Sequence, residues 1–581
     1  MECLDLLADQ GAKPAVRPTT ASSPFKIGLL CDSQAVSKYV FDLATWIRSQ
    51  PNLSVALIIH QNVQAEWNAT VRGRLGKLVQ TISRNGFFSV FSKALFHLVT
   101  AIEGAFLKRT RHKDHTRAFD LSSLVSESIT IEPIVSQSGL VYRFSASDVQ
   151  RVKDLNCDVL IRCGRGNILR GDILHAARHG ILSFHHADNR INRGGPPGFW
   201  EVYKRQDTTG FTIQRLTEEL DGGVVFMRGH FQTKFCYLLN QASLLERSNR
   251  FLNAVIQDTA SRGELPPPLP SLPYSEQLFR SPHAGQTLLY SLRLLARLVP
   301  KIFGTLAGYR LRWHVAFLRS DWRNAVLWRA IELQNPPWHF LADPFVISRN
   351  GKDYCFVEDF DYRTERGSIA VYELAKRGGV RIGTALAEDF HLSFPFLFEY
   401  QGDLFMCPES SEVKEIRIYR CVEFPLRWKL ETVTMRNVNA VDSLIFEKDG
   451  QWWLLTNIDP VGTRMGNDRC ELFAFHATSP FGEWVAHPLN PIVVDASCAG
   501  NGGLLVEAGQ ILRVSQAQGF DFYGRQLLIN EVVELTPQTY RETGVCKITP
   551  TFKRGIAGTH HLHSNGSVTV FDYVRRSRIT K

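Results

Sequence analysis

The sequence lacks several features that would place it in a common class of protein. It has no Lys/Arg-rich motif of the nucleic-acid-binding kind, although the net charge is +10, with 67 Lys plus Arg against 57 Asp plus Glu. It has no Cys-x-x-Cys pair, and its 11 cysteines are irregularly spaced. We therefore expect a cytoplasmic protein that binds no nucleic acid and keeps its cysteines as buried free thiols.

The sequence also lacks a clear signal peptide and an uninterrupted membrane span. Its acidic start has only a short apolar run, so we expect no secretory signal and a loose leader over residues 1–23. Residues 86–107 are rich in Phe and Leu, but three polar side chains interrupt them: Lys93, His97 and Glu103. We expect an amphipathic helix packed on its domain. The alternative is an interfacial helix that, with the basic run 108–113, gives peripheral membrane contact through residues 86–113.

Length and composition predict a globular protein of more than one domain. A chain of 581 residues exceeds one ordinary core, and 44% hydrophobic with 21% charged residues is typical of globular proteins. The proline-rich stretch at 265–273 predicts a stiff linker. We expect an α/β domain over 24–262, a linker with a pair of connecting helices over 263–324, and an all-β domain over 325–581.

The first domain alternates predicted strands and helices. Residues 26–31 and 53–59 are apolar runs separated by a segment of helical spacing, and residues 157–161 and 180–184 are further buried strands. This order predicts an open parallel sheet of the Rossmann type, whose ligands sit at the carboxyl ends of the strands. His185 lies directly after such an end.

His185 opens a polar, glycine-rich segment that continues to Asp221. A His can stabilise an oxyanion or move a proton, and a nearby Asp can hold and polarise it. Because side chains alternate along a strand, Ser183 and His185 point the same way, which favours His185 over His186. The order predicts an imidazole and a carboxylate at one sheet edge, a layout suited to moving an acyl group onto an amine.

The same segment resembles the formyltransferase family, whose members act on methionyl-tRNA, glycinamide ribonucleotide and amino sugars. The family pattern runs Asn-x-His-Pro-Ser-Leu-Leu-Pro-x-Tyr-Arg-Gly, then Thr-Gly-x-Thr, then Asp-x-Gly. At the matching places this chain has Ser183-Phe-His185, Arg193-Gly194, Thr209-Gly-Phe-Thr212 and Asp221-Gly-Gly223. The resemblance implies a Rossmann-like formyltransferase domain, 10-formyltetrahydrofolate as the donor, and His185 as the catalytic imidazole with Asp221 as its partner.

The resemblance also implies which residues contact the two substrates. The donor contacts would be Arg162, Gly164, Gly166 and Glu218. The acceptor contacts would be Asp188, Asn189, Arg193, Gly194 and Thr209. One departure is Ser183, a shorter donor where the family has Asn, and losing one oxyanion donor outright costs about 10²–10³ in rate. Either Asp188 and Asn189 rebuild the donor set or bind the acceptor sugar, or the site is degenerate.

From about residue 325 the pattern changes to short β-runs and turns. Five sets, at a spacing of about 50 residues, predict a five-bladed β-propeller, with an irregular β-sandwich as the alternative. Asp343 and Asp442 each stand at the start of a set, where a carboxylate reaches the central channel. These phrases resemble propeller glycoside hydrolases of the arabinanase and fructosidase kind, and the propeller region of plant glucosamine inositolphosphorylceramide transferases.

The resemblance to hydrolases breaks at one position. A Glu acid is expected where the fourth set begins, but this chain has Asn501, and an amide cannot deliver a proton. Glu409 or Glu358 would have to substitute. The propeller is therefore expected to bind or scaffold a glycan, with a working glycosidase or transferase as the alternative, and no metal is expected.

These observations predict an enzyme of two modules. The first would transfer a formyl group from 10-formyltetrahydrofolate to the amine of a nucleotide- or lipid-linked amino sugar, and the second would bind or process glycan. Two alternatives stay open. One is a glycosidase or a glycosyltransferase-associated protein that processes carbohydrate and whose formyltransferase module is inert. The other is a non-catalytic glycan-binding protein.

Overall fold

The structure is a computed structural model that describes most of the chain. The described residues are 24–60, 87–125, 127–137, 139–164, 168–219, 222–271, 273–459 and 469–579. The chain divides into an N-terminal unit, Val16–Arg297, and a C-terminal unit formed by Leu298–Lys581 with Met1–Ala15. The ten cysteines described are free thiols, in agreement with their irregular spacing.

The N-terminal unit contains β1–β14 and α1–α5. The strands are β1 (Phe25–Cys31), β2 (Ala35–Ser37), β3 (Leu53–His60), β4 (Ala118–Asp120), β5 (Glu127–Ile131), β6 (Ile134–Val135), β7 (Val141–Arg143), β8 (Val159–Arg162), β9 (Ile168–Leu169), β10 (Ile181–His185), β11 (Arg193–Gly194), β12 (Thr208–Arg215), β13 (Val224–Gln232) and β14 (Leu278–Phe279). The helices are α1 (Lys38–Ser49), α2 (Phe87–Leu107), α3 (Ala146–Asp154), α4 (Phe199–Lys204) and α5 (Tyr237–Arg262). Helix α6 (Ala284–Leu306) begins in this unit and crosses the boundary.

The main sheet of the N-terminal unit is mixed rather than wholly parallel. Its strand order is β13-β12-β10-β8-β1-β3-β5. Five strands of this sheet, β10, β8, β1, β3 and β5, are parallel to one another, whereas β12 and β13 form an antiparallel edge beside β10. The chain builds outward from β1 through β3 to β5 and then returns to β8 on the other side of β1. That reversal is the point at which ligands bind in open α/β sheets, and β10 lies next to it.

The C-terminal unit is built from β15–β36. The strands are β15 (Tyr309–Leu318), β16 (Ile331–Glu332), β17 (His339–Arg349), β18 (Lys352–Asp361), β19 (Arg366–Ala375), β20 (Gly378–Leu386), β21 (Ser393–Tyr400), β22 (Asp403–Glu409), β23 (Glu415–Glu423), β24 (Arg427–Arg436), β25 (Ala440–Lys448), β26 (Gln451–Ile458), β27 (Glu471–Ala477), β28 (Val485–Ala486), β29 (Val493–Val494), β30 (Gly500–Glu507), β31 (Gln510–Gly519), β32 (Phe522–Leu535), β33 (Tyr540–Ile548), β34 (Ile556–Gly558), β35 (Leu562–Ser564) and β36 (Thr569–Arg578).

These strands form five antiparallel sheets. Four are consecutive runs, β17–β20, β21–β24, β25–β28 and β30–β33, and the fifth has the order β16-β15-β36-β34. The first strand of each run contacts the first strand of the next, from β17 through β21 and β25 to β30. Strand β30 contacts β35, and β35 contacts β17. The fifth sheet therefore joins the beginning of the unit to its end.

A bulge recurs at the start of each of the four consecutive sheets. The register shifts after Ala342, Ser393, Val441 and Asn501. At each bulge one residue has positive φ: Asp343, Phe394, Asp442 and Gly503. A bulge re-aims the side chain of the extra residue, and Asp tolerates this backbone region better than most residues. The two Asp residues singled out in the sequence thus occupy equivalent bulges.

The segment expected to hold two connecting helices holds one helix and one strand. Helix α6 is followed by β15, which pairs with β36 along ten residues. The reason lies in residues 311, 313, 315 and 317, where Leu, Trp, Val and Phe alternate with other residues at a period of two. That stretch is a strand of the C-terminal unit and not part of a linker.

Candidate functional sites

His185 ends β10 and is buried between two neighbouring strands. Its strand pairs with β8 on one side and β12 on the other. The ring Nε2 lies 2.7 Å from the carbonyl oxygen of Asn192. A carbonyl oxygen only accepts, so Nε2 carries the proton and the neutral ring has its lone pair on Nδ1. This hydrogen bond therefore fixes the orientation of the His185 ring at the end of β10.

A buried carboxyl group supports this arrangement through Asn192. The Asn192 side-chain amide donates to Glu201 Oε1 at 3.1 Å, and both residues are buried. Burial raises the pKa of Glu201 above its usual range. The sequence motif does not include Glu201, which lies on α4. The link His185–Asn192–Glu201 could therefore not be predicted from the motif. It restrains the loop that fixes the imidazole.

Two hydroxyl groups expected to face substrate are hydrogen-bonded within the protein. The Ser183 hydroxyl donates to the Phe184 carbonyl oxygen at 3.1 Å, and Ser183 is 3% exposed. The Thr209 hydroxyl lies 2.9 Å from that of Thr233 and accepts from the Asn240 amide at 2.9 Å. Ser183 is thus engaged by its own strand, and Thr209 belongs to a buried network behind the sheet edge.

Asp188 and Asn189 lie among basic side chains of β13 and the loop. The Asp188 carboxylate is 2% exposed and is contacted by Arg190 at 2.9 and 2.5 Å and by His230 at 2.9 Å. Burial raises the pKa of Asp188, but hydrogen bonds from His230 and Arg190 outweigh it and hold the pKa well below its usual range. Arg228 donates to Asn189 Oδ1 at 3.2 and 3.3 Å.

Arg228 and His230 could have been suspected from the sequence alone. They alternate along β13, so their side chains share one face of the sheet. Their charge offsets that of Asp188, which makes this carboxylate an anchor for the loop. Whatever anion enters this edge would meet Arg228 and Arg190 before it meets Asp188.

The remaining predicted residues of this site lie at three places. Arg162 ends β8 directly beside Ser183, with Gly164 two residues further on. The Glu218 carboxylate accepts the Gly171 N–H at 2.7 Å. The Arg193 guanidinium lies 4.5 Å from the Tyr274 ring centre and donates to the Asn189 carbonyl oxygen, whereas Gly194 pairs with β14. Asp221 and Gly166 lie outside the described residues.

The C-terminal unit contains a second candidate site. Seven buried or nearly buried ionisable residues form what we call the channel cluster: Asp343, Glu358, Glu409, Asp442, Arg469, His560 and Asp572. They come from strands of four sheets (β17, β18, β22, β25 and β36) and from the segments just before β27 and β35. The four carboxylates proposed from the sequence therefore belong to one cluster, as their mutual electrostatic effects also show. Arg469, His560 and Asp572 were not predicted.

Arg469 is the cation at the centre of this cluster. Its Nη2 lies 3.2 Å from Glu409 Oε2 and 3.2 Å from Asp442 Oδ1, and its Nε also contacts the Asp442 carboxylate. The guanidinium lies 4.7 Å from the Tyr523 ring centre. One guanidinium thus serves two buried carboxylates, an arrangement that suits its planar, forked shape.

The pKa values of the carboxyl groups in the cluster shift in different directions. Burial raises the pKa of Asp343 to about 6, against the opposing charge of His560. Burial also raises the pKa values of Glu358 and Asp442 well above their usual range. Burial acts in the same sense on Asp572, but the charge and hydrogen bonds of His560 outweigh it and lower its pKa. The cluster therefore combines carboxyl groups of different acidity, as acid–base chemistry requires.

Asn501 occupies the position at which a glycosidase acid was sought. It is fully buried, donates to the carbonyl oxygens of Asp442 at 2.8 Å and Leu455 at 3.1 Å, and accepts from Arg513 at 3.2 Å. The amide is engaged on both sides and holds neighbouring sheets together. It provides no acid.

One part of the cluster has the geometry of a metal site. Ligand atoms of Asp343, His560 and Asp572 lie within 4.8 Å of one another. His560 Nδ1 lies 2.8 Å from Asp572, and Nε2 lies 3.3 Å from Asp343. These three residues could hold a small divalent cation, and in its place the imidazole bridges the two carboxylates.

Comparison with known proteins gives a clear result for the C-terminal unit. The family model described as "Glucosamine inositolphosphorylceramide transferase 1, N-terminal" matches residues 324–563, less than half of the chain. The protein of this name from Arabidopsis thaliana is 36% identical over 214 residues, which are 36% of this chain and 28% of that protein. The C-terminal half resembles this family. The chain thus spans little more than a quarter of that relative, and the resemblance expected from the sequence is confirmed for this half.

A second similarity, to a formyltransferase, is shorter. Methionyl-tRNA formyltransferase from Listeria innocua is 29% identical over 79 residues, which are 14% of this chain and 25% of that protein. The formyltransferase resemblance is supported in part.

Among solved structures, a family 117 glycoside hydrolase from Zobellia galactanivorans aligns at a TM-score of 0.30 and 11% identity. That alignment covers 46% of this chain and 91% of the hydrolase.

Proposed function

We propose that this protein N-formylates an amino sugar on a nucleotide or lipid carrier and that its C-terminal unit binds the glycan. The observation that carries the proposal is the state of His185. It stands at the carboxyl end of β10, beside the reversal in strand order, and its Nε2 donates to the Asn192 carbonyl oxygen, which fixes the position of the imidazole.

Formyl transfer to an amine needs a group that removes a proton from the attacking nitrogen. The donor, 10-formyltetrahydrofolate, supplies the acyl carbon when bound. His185 Nδ1 can accept the amine proton, and the Asn192 carbonyl oxygen stabilises the imidazolium that results, because it accepts the Nε2 proton. The Ser183 hydroxyl is committed to Phe184, so we assign His185 to proton removal and give Ser183 no oxyanion role.

The donor set at the sheet edge fits a folate co-substrate and a carrier phosphate. Arg162, at the end of β8, offers a cation for a glutamate carboxylate, and Arg190 and Arg228 offer cations for a phosphate. The name of the plant relatives combines glucosamine, an amino sugar, with a ceramide lipid. This supports an amino sugar as acceptor and a lipid as carrier.

For the C-terminal unit we propose a five-bladed propeller in which each sheet is a blade. The support is the ring of contacts among the inner strands, from β17 through β21, β25, β30 and β35 back to β17. The fifth sheet combines the first strand of the unit with its last, which is how propellers close. The four equivalent bulges would then open on a common channel.

The channel cluster favours glycan binding as the role of this unit. The carboxylates can accept hydrogen bonds from sugar hydroxyls, and the guanidinium can donate hydrogen bonds to them. A second function, hydrolysis or glycosyl transfer, is favoured by one observation. Burial raises the pKa of Glu358 well above the usual range, whereas His560 lowers the pKa of Asp572 despite burial, so these two carboxyl groups suit the roles of acid and base.

The first test is a formyl-transfer assay on the full chain. Purified protein is mixed with 10-formyltetrahydrofolate and a panel of nucleotide- and lipid-linked amino sugars, and tetrahydrofolate release and formylated product are measured. His185→Gln should lower the rate by about 10²–10⁴. The matched control is His175→Gln, an exposed imidazole of the same unit, which should keep full activity.

Two results would count against the proposal. If no acceptor leads to release of tetrahydrofolate, the proposal of formyl transfer is rejected. If His185→Gln keeps full activity, His185 is not the base.

For the second function, a glycan panel is assayed for binding and cleavage with Asp343→Asn and with the exposed control Asp449→Asn. Cleavage lost only in Asp343→Asn favours catalysis in the C-terminal unit. Binding lost without any cleavage favours recognition.

A further inference from the structure

Two helices carry rows of exposed apolar side chains. On α2 the row comprises Phe88, Phe91, Leu98, Ile102 and Phe106, exposed by 46–83%. At about 100° per residue they fall within a strip about 80° wide. On the part of α6 that belongs to the N-terminal unit, the row comprises Leu288, Leu292 and Leu295, exposed by 54–56%. These fall within a strip about 60° wide.

Hydrogen bonds connect α2 with the first part of α6. The Ala284 N–H donates to the Ser92 hydroxyl at 2.9 Å, and the Tyr290 hydroxyl donates to the Glu103 carboxylate. Glu103 also accepts the N–H of Leu238, the second residue of α5, at 2.8 Å. Of the α2 row, Phe106 contacts the Phe235 ring at 5.8 Å, but the residues that make these hydrogen bonds lie outside both apolar rows.

Residues Phe88–Leu107 have the length and mean hydropathy, 1.4, of a helix that could cross a membrane. A crossing helix would place Glu103 in the hydrocarbon and separate it from Leu238 and Tyr290. Burial of that carboxyl in protein, with both partners present, favours a helix that lies on a membrane surface over one that spans it.

The exposed charges that follow the α2 row are basic. On α6, by contrast, Arg293 and Arg297 lie on the side of the helix opposite its apolar row, and Arg293 donates to the Tyr203 carbonyl oxygen at 2.9 Å, so the charge that complements headgroups comes from the segment after α2. Helix α2 is followed by a run with four further basic residues over 108–113, and its single acidic residue, Glu103, is buried. Basic side chains beside an apolar strip complement anionic lipid headgroups.

We propose that α2 and α6 form an interfacial docking surface for an anionic lipid bilayer. The apolar rows enter the boundary between headgroups and acyl chains, and the basic residues contact the headgroups. This inference stands apart from the proposed chemistry, because it rests on no residue of either candidate site. It adds α6 to the membrane contact considered for residues 86–113.

The test is flotation of the full-length protein with vesicles of phosphatidylcholine alone or mixed with phosphatidylserine. We expect flotation with the mixed vesicles, less with phosphatidylcholine, and a decrease as salt is raised. Ile102→Glu with Leu292→Glu should lower the partition coefficient about tenfold or more. The matched control is Val380→Glu with Val506→Glu, two exposed apolar residues of the C-terminal unit, which should float like the wild type.

A second pair of variants separates charge from apolar contact. Lys108→Gln with Arg109→Gln, two exposed basic residues that follow α2, should weaken binding to the mixed vesicles and leave the weak binding to phosphatidylcholine unchanged. Thermal melts confirm that each variant is folded. The proposal is overturned if the wild type does not float with anionic vesicles or if Ile102→Glu with Leu292→Glu floats equally well. It is also overturned if the protein resists alkaline extraction from cell membranes, which indicates a spanning helix.

Discussion

Replacing Arg469 by Met would remove the guanidinium that serves two buried carboxylates of the channel cluster. The side chain keeps a similar length and apolar body, so the change is mainly one of charge. Arg469 is 11% exposed, and its partners Asp442 and Glu409 are 1% and 8% exposed at the side chain. Water therefore cannot replace the lost contacts.

The size of the effect follows from the cost of leaving buried charges unpaired. Removing one partner of a buried ion pair costs about 3–5 kcal/mol. For a unit of this size each kcal/mol lowers the melting temperature by about 2–4 °C, so we expect the melting temperature of the C-terminal unit to fall by roughly 6–20 °C. Calorimetry and urea unfolding, followed by the intrinsic fluorescence of tryptophan, would measure it.

The loss should depend on pH with a definite sign. Burial already raises the pKa of Asp442, and Arg469 opposes that rise, so the variant has a still higher pKa at this carboxyl. A carboxyl group whose pKa in the folded state exceeds its unfolded value of about 4 weakens the fold as pH rises from the unfolded to the folded pKa. The destabilisation reaches its full size above the folded pKa. The variant should therefore lose more stability at pH 8 than at pH 5.

The control and the rescue make the reasoning refutable. Arg541→Met breaks an exposed pair with Glu534, 3.5 Å apart, and should cost less than about 1 kcal/mol. Adding Asp442→Asn to the Arg469→Met variant should restore part of the loss, because one stranded charge is gone. A change below about 1 kcal/mol for Arg469→Met at pH 8 would refute the account.

Three further substitutions test the backbone at two glycines and one buried histidine. Gly194→Ala should destabilise the N-terminal unit by more than about 2 kcal/mol, since φ is +102° and a Cβ would lie 2.1 Å from the Phe279 carbonyl oxygen. Gly139→Ala, at φ +74° with open space, should cost only about 1 kcal/mol in urea unfolding, and equal costs would contradict the steric argument. Burial lowers the pKa of His561 to about 3, so acidification below about 6.5 should weaken the fold by up to about 1.4 kcal/mol per pH unit, and His561→Leu should flatten that dependence. An unchanged pH profile in His561→Leu would assign the acid sensitivity to other groups.

Much of the fold could be predicted from the sequence because its signals are local. Alternation of apolar residues marks strands, and five turn-and-strand sets mark five sheets. The prediction was wrong at Tyr309–Leu318, where leucines and arginines also suit a helix, although residues 311–317 alternate at the period of a strand. Pairing with β36, more than 250 residues away in sequence, resolves this local ambiguity in favour of a strand.

The candidate sites divide in the same way. The motif places His185 at a strand end and the two Asp residues, Asp343 and Asp442, at the starts of sheets, because each position follows from its immediate neighbours in the chain. The tertiary structure alone brings Arg469 to Asp442. A contact between distant residues leaves no period in the sequence, and the burial that shifts a pKa exists only when the whole unit has folded around it.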